Sequence, residues 1–97
     1  MTDPRVWTKP SLLSKGIPAE IGYRGLLVNS GADRVFLHYG KDGWQNLRTT
    51  EMKRRIDGSF SASIMPEGDK CIDLCFRDSA GNWDNNSGSD WHLRLRK

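Results

Sequence analysis

Four short runs in this chain alternate apolar and polar residues with a period of two. In "RVFLHYG" (34–40), Val35, Leu37 and Tyr39 fall on one parity, and Phe36 and His38 on the other. "FSASIM" sets out Phe60, Ala62 and Ile64; "CIDLCF" sets out Ile72, Leu74 and Phe76; "WHLRLR" sets out Trp91, Leu93 and Leu95. That period belongs to a strand with one buried face. Turn formers separate the runs: "NSGAD" at 29–33, "KDG" at 41–43, "DGS" at 57–59, and Pro66. Six or seven short strands with turn signals about every 8–12 residues, and no βαβ units, predict an all-β fold, a small antiparallel β-sandwich.

The chain has 97 residues, 36% of them hydrophobic and 28% charged, which fits one globular domain with a modest core. Residues 1–19 hold three of the four prolines and little periodicity. They read as an N-terminal arm with room for a short edge strand around Val6 and Trp7, leaving 20–97 as the sandwich. In "EIGYRGLLVNSGAD", Ile21, Tyr23 and Leu27 alternate before the turn. "WQNLRTTEMKRRI" has the Glu/Lys/Arg content of a helix. Strand plus irregular loop is the better reading, because Thr49-Thr50 is a poor helix centre and the flanks are β.

No apolar run is long enough to span a bilayer, so no membrane partner is expected. The first residues show no signal-peptide pattern. The expected location is cytoplasmic, or extracellular if the chain is a fragment of a secreted enzyme. Cys71 and Cys75, four apart on a strand, would stand roughly 13 Å apart. A disulfide between them is therefore not expected, and free thiols fit a reducing compartment. The net charge is +3, with basic clusters at 53–55 and 94–97. Outward strand positions explain these better than a nucleic-acid surface does.

Catalysis is not expected. A glycosidase needs two carboxylates across a cleft, whereas Asp78, Asp84 and Asp90 share one loop. Asp84, Asn86, Gly88 and Asp90 suggest a calcium loop. Yet the sixth and twelfth positions counted from Asp84 are Ser89 and Leu95, not Gly and Glu. With two His and two Cys at no ligand spacing, a zinc site is unsupported. No cofactor is expected.

The remaining puzzle is "GNWDNNSGSDW" (81–91). It is a turn-rich loop, yet Trp83 stands in it with no apolar neighbour. Trp7 and Trp91 are assigned to the core or its rim, Trp91 because it is in phase with Leu93 and Leu95. Trp44 follows the Lys-Asp-Gly turn, and His38 lies opposite the apolar face of its strand. Alternatives exist for both: a core place for Trp44, and an ordinary surface role for His38. An exposed indole beside amides and carboxylates suits a sugar ring. The indole covers the C–H face, while Asn, Asp and His take the hydroxyls. Hiding ~50 Å² at about 25 cal/mol/Å² yields on the order of 1 kcal/mol per ring. Such weak binding suits a repeating polymer, where avidity supplies the rest.

Three stretches, "GADRVFLHYGKDGW", "EMKRRIDGSFSASIMPEG" and "CFRDSAGNWDNNSGSDW", together resemble the starch-binding carbohydrate-binding modules of family 25 and their relatives, including those of starch synthases. The resemblance covers roughly residues 20 to 92. It implies an immunoglobulin-like β-sandwich that binds α-1,4-glucan (starch, glycogen or maltooligosaccharide) without catalysis. It places the ligand on His38, Trp44 and Trp83, and on Asn85 and Asn86, with Asp84 beside them. In a cytoplasmic setting glycogen is the natural polymer, and tethering an enzyme partner to it is the natural use. The alternative is an immunoglobulin-like protein-interaction module that uses Trp44 and Trp83 as its hot spot. Nucleic-acid binding through stacked aromatics ranks third.

Overall fold

The alternating runs become strands, and the face each buries is the apolar one. In a computed structural model, which describes residues 4–96, the elements in chain order are β1 (Val6–Lys9), β2 (Leu13–Ser14), β3 (Ala19–Tyr23), α1 (Leu26–Asn29), β4 (Val35–Lys41), β5 (Gln45–Glu51), β6 (Lys53–Arg54), β7 (Phe60–Ile64), β8 (Cys71–Asp78), β9 (Trp83–Asp84) and β10 (Trp91–Arg96). One sheet has the order β1-β3-β7-β6. The other has the order β2-β10-β8-β4-β5, with β9 also paired to β8. The sheets face each other across one core. Val35, Leu37, Ile72, Leu74, Phe76, Trp91 and Leu95 come from one side, and Val6, Ile21, Tyr23, Phe60 and Ile64 from the other. The fold is the expected two-layer β-sandwich.

The structure departs from the sequence reading in three places. The pairing is antiparallel throughout except between β2 and β10, which run parallel. The alternation after Tyr23 does not continue as strand. The chain turns once as α1, and its first amides find buried acceptors: Leu27 N–H donates to the Tyr23 hydroxyl, and Leu26 N–H to Asp84 Oδ2. Leu27 still reaches the core by this route. The short edge strand expected around Val6 and Trp7 is β1, paired with β3, and the arm goes further into the sandwich than that, since Val6, Leu13 and Ala19 are all core residues. The boundary between 19 and 20 falls inside β3. Residues 1–3 of that arm, and Lys97 of the second basic cluster, lie outside the described residues.

The segment after Trp44 is strand, as preferred over helix: β5 and β6, with Met52 between them buried in the core. Cys71 and Cys75 both lie on β8 as free thiols.

One feature of the larger sheet positions everything that follows. Along one edge of β8, β10 pairs with residues 71–74 and β9 pairs with Phe76 and Arg77. The chain between β9 and β10, residues 85–90, bulges off that edge as a loop. On the other edge of β8 runs β4, and beyond it β5.

Candidate functional site

His38 is in the middle of β4, in the outward parity. Its cross-strand neighbours are Thr49 on β5 and Cys75 on β8. Its Nδ1 lies 2.8 Å from Thr49 Oγ1, a bond that holds the ring upright on the sheet. Nε2 makes no hydrogen bond among the described residues.

Two indoles flank the imidazole. Trp44 lies on one side, with ring centroids 5.8 Å apart and planes at 22°. Trp83 lies on the other at 5.7 Å, with planes at 84°. The two indole planes are therefore far from parallel, and the three rings form an angled surface on the outer face of the larger sheet. Trp83 is 49% exposed. Its ring also has the Arg77 guanidinium carbon 5.8 Å from its centroid, a cation–π contact that steadies it from the strand side.

The backbone explains how Trp83 comes to stand in water. β9 has only two residues, and a strand alternates. Trp83 goes out and Asp84 goes in. Asp84 is buried, and Oδ2 accepts a 2.6 Å bond from the Tyr23 hydroxyl while Oδ1 takes the Asn86 amide. That carboxylate also lifts the Tyr23 phenol, though burial lifts it more. The buried residue is the anchor and the exposed one is what it holds. Before β9, Asp78 closes a tight turn by accepting from the Ala80 and Asn82 amides and the Asn82 side chain. Those bonds, that of the Asn82 side chain above all, keep its carboxyl below the ordinary range.

Trp44 is positioned by a different device. The β4–β5 turn places Asp42, Gly43 and Trp44 at φ 47°, 92° and 65°. A left-handed backbone at a bulky residue is uncommon and needs support. Asp73 supplies it, with Oδ2 accepting from Gly43 N–H at 2.9 Å and Trp44 N–H at 2.7 Å. Asp73 is 1% exposed. Burial pushes its carboxyl up, but these two amides and His92 outweigh that, and the group sits below the usual range. Asp42 locks the other end of the turn by accepting from the Asp69, Lys70 and Cys71 amides, which bring its carboxyl down to about 2. Gly40 makes room, since a Cβ there would lie 2.9 Å from Trp44 Cα.

Of the six residues singled out in the sequence, the fold brings His38, Trp44 and Trp83 together. Asn85 is exposed at the head of the loop. Its Oδ1 accepts from Gly88 N–H, and its Nδ2 is unengaged among the described residues. The other two face structural work. Asp84, expected to bind hydroxyls, is turned into the core. The Asn86 amide is used within the protein: Oδ1 accepts from Arg5 Nη2 at 2.7 Å, and Nδ2 donates to Asp90 O. Sequence reasoning missed Thr49, Arg77, Gly40, Asp73 and His92. Asp73 and His92 sit on the polar parity of their strands, and alternation reads such positions as solvated.

Cys75 shares the outward parity with His38 yet is buried, and burial, followed by the nearby Asp90 and Asp84 charges, pushes its thiol up to about 11. It is a protonated, small, apolar neighbour of the imidazole.

The chain is 34% identical over 84 residues to the alpha-amylase of Clostridium acetobutylicum, a match that takes in 86% of this chain and 11% of the amylase. The chain thus spans about a tenth of the relative's length. No family model matches it. No solved structure matches it.

Proposed function

We propose that this domain is a non-catalytic α-glucan-binding module, and that His38, Trp44 and Trp83 form its binding surface. The observation that carries this reading is the angled three-ring surface, with its indole planes far from parallel. A flat β-1,4-linked ribbon presents its ring faces in one plane and asks for a flat aromatic strip. An α-1,4-linked chain turns at each linkage, so successive ring faces point in different directions. Two tilted indoles match that turn. The hydroxyl equator would meet His38 Nε2, Asn85 Nδ2 and the two indole N–H groups, none of which is hydrogen-bonded among the described residues.

The similarity to one tenth of an alpha-amylase supports the same reading, because it is compatible with an accessory module of a carbohydrate-active enzyme. The larger roles that follow, such as tethering an enzyme to starch or glycogen, rest on the binding itself. Expected affinity for a short oligosaccharide is weak, about −4 to −6 kcal/mol after ordering costs.

The test is a depletion assay on insoluble starch beside microcrystalline cellulose, followed by titration with maltoheptaose. Retention on starch alone supports the proposal. Retention on cellulose alone, or on neither, sinks it.

A further inference from the structure

His92, outside the ring surface, touches the carboxylate that holds the Trp44 turn and the loop that follows the Trp83 strand. It is the second residue of β10, opposite Asp73. Its Nδ1 lies 2.5 Å from Asp73 Oδ1, the carboxylate whose other oxygen holds the Trp44 amide. Its Nε2 lies 3.2 Å from Ser89 O, in the loop that follows Trp83. Both partners are acceptors, so each ring nitrogen engages only by donating, and the ring holds both at once only as the imidazolium, with a proton on each nitrogen. Asp73 is nearly inaccessible, and without His92 its Oδ1 would keep only the weak bond from the Cys71 thiol at 3.5 Å.

We infer that His92 and Asp73 are one positioning device that sets the Trp44 turn and the Trp83 loop relative to each other. The premise that a ligand uses both indoles rests on the α-glucan reading; the coupling between the two segments does not. A surface made from two separately mobile segments would bind with the spacing of its rings uncertain. A side chain bonded to both removes that freedom before the ligand arrives. His92 itself touches no ligand in this scheme.

The two arms of the ring can be separated chemically. The amide nitrogen of Asn stands where Nδ1 does, and that of Gln reaches the place of Nε2. The measurement is the pair of indole N–H signals of Trp44 and Trp83 in a nitrogen–proton correlation spectrum, alongside maltoheptaose titrations and melting curves. His92→Leu should move both signals and weaken maltoheptaose binding about tenfold, the size of one lost charge-assisted bond. His92→Asn should return the Trp44 signal toward wild type but not that of Trp83. His92→Gln should do the reverse. If His92→Leu fails to fold, the Asn and Gln variants still decide. Signals unmoved in His92→Leu, or the same pattern in Asn and Gln, would overturn the inference. If the selective pattern appears while the wild type ignores maltoheptaose, the positioning device stands and the α-glucan reading falls.

Discussion

Among the described residues, two clusters of three rings lie one on each side of the larger sheet. In the core, Tyr23 stacks on Phe76 with centroids 4.0 Å apart and planes at 22°, and Trp91 meets Phe76 edge-on at 5.3 Å and 68°. Outside, Trp44 is equally close to parallel with His38 at 22°, and Trp83 is edge-on at 84°. The angles nearly match; the distances do not. The near-parallel core rings touch, while His38 and Trp44 stand 5.8 Å apart. Core rings are drawn together because contact removes apolar surface from water. The outer rings are held apart by backbone: β4 carries one, the turn after it another, and β9 the third. Ring pairing alone does not separate a packing cluster from a binding surface. What separates them is whether contact or the scaffold sets the spacing.

The sharpest way to break this comparison is to delete one tryptophan from each cluster. Trp91→Ala should destabilise the fold by roughly 3–5 kcal/mol, as loss of a buried large aromatic does, with maltoheptaose affinity per folded molecule retained. Trp83→Ala should leave the melting temperature within a few degrees of wild type and abolish most binding. If Trp83→Ala melts as early as Trp91→Ala, the outer ring is a packing residue and the distinction collapses.

Tyr23→Phe touches both clusters at once. It leaves the core stack intact but takes the hydroxyl away, leaving Asp84 Oδ2 only the longer bond from Leu26 N–H and the Leu27 N–H without its acceptor. The expected cost is about 1–3 kcal/mol, read by denaturant melts. Because Asp84 anchors β9, binding should weaken too, and the Trp83 indole signal should broaden.

Gly40→Ala sharpens the outer side alone. The added methyl meets the Trp44 backbone at 2.9 Å, so the turn must move. Binding should fall several-fold, with a smaller loss of stability, on the order of 1 kcal/mol from overpacking. Equal affinity in wild type and variant would show that Trp44 need not be where it is.

The smallest effect is an acid one. Asp42 sits at about 2 in the folded protein, against an ordinary 3.8, because three backbone amides hold its charged form. A lowered carboxyl contributes stability that is fully present above the ordinary value and is lost as pH falls through about 2. The Trp44 indole signal should therefore shift in that acid window before the core melts. Asp42→Asn should remove the step. A Trp44 signal that moves only with global unfolding would mean Asp42 does not set the turn.

The strands were legible because alternation reports which face is buried, as Val35, Leu37 and His38 show. The outer rings were legible because Trp83 had nothing apolar beside it in the sequence. Their supports were not. Asp73 and Asp84 look like any polar strand or loop residue, and both are buried. Burial of a carboxylate depends on donors that arrive from distant segments: Tyr23 for Asp84, and Gly43, Trp44 and His92 for Asp73. A local pattern cannot register those partners. The edge strand around Val6 was legible, but the core role of Leu13 and Ala19 was hidden for a related reason, since prolines in residues 1–19 mask short strands whose pairing is remote.

The interruption between β9 and β10 gives this fold room to vary. Each of the two strands is registered on β8 by its own pairs, so the six residues between them need not keep a fixed length for either to stay in place. Loop closure grows only slowly more costly with added residues. An insertion at the exposed Ser87-Gly88 tip would thus lengthen the rim beside Trp83 without shifting a strand. Selection, or an engineer, would find there a place to retune the footprint on a ligand while inheriting the scaffold unchanged.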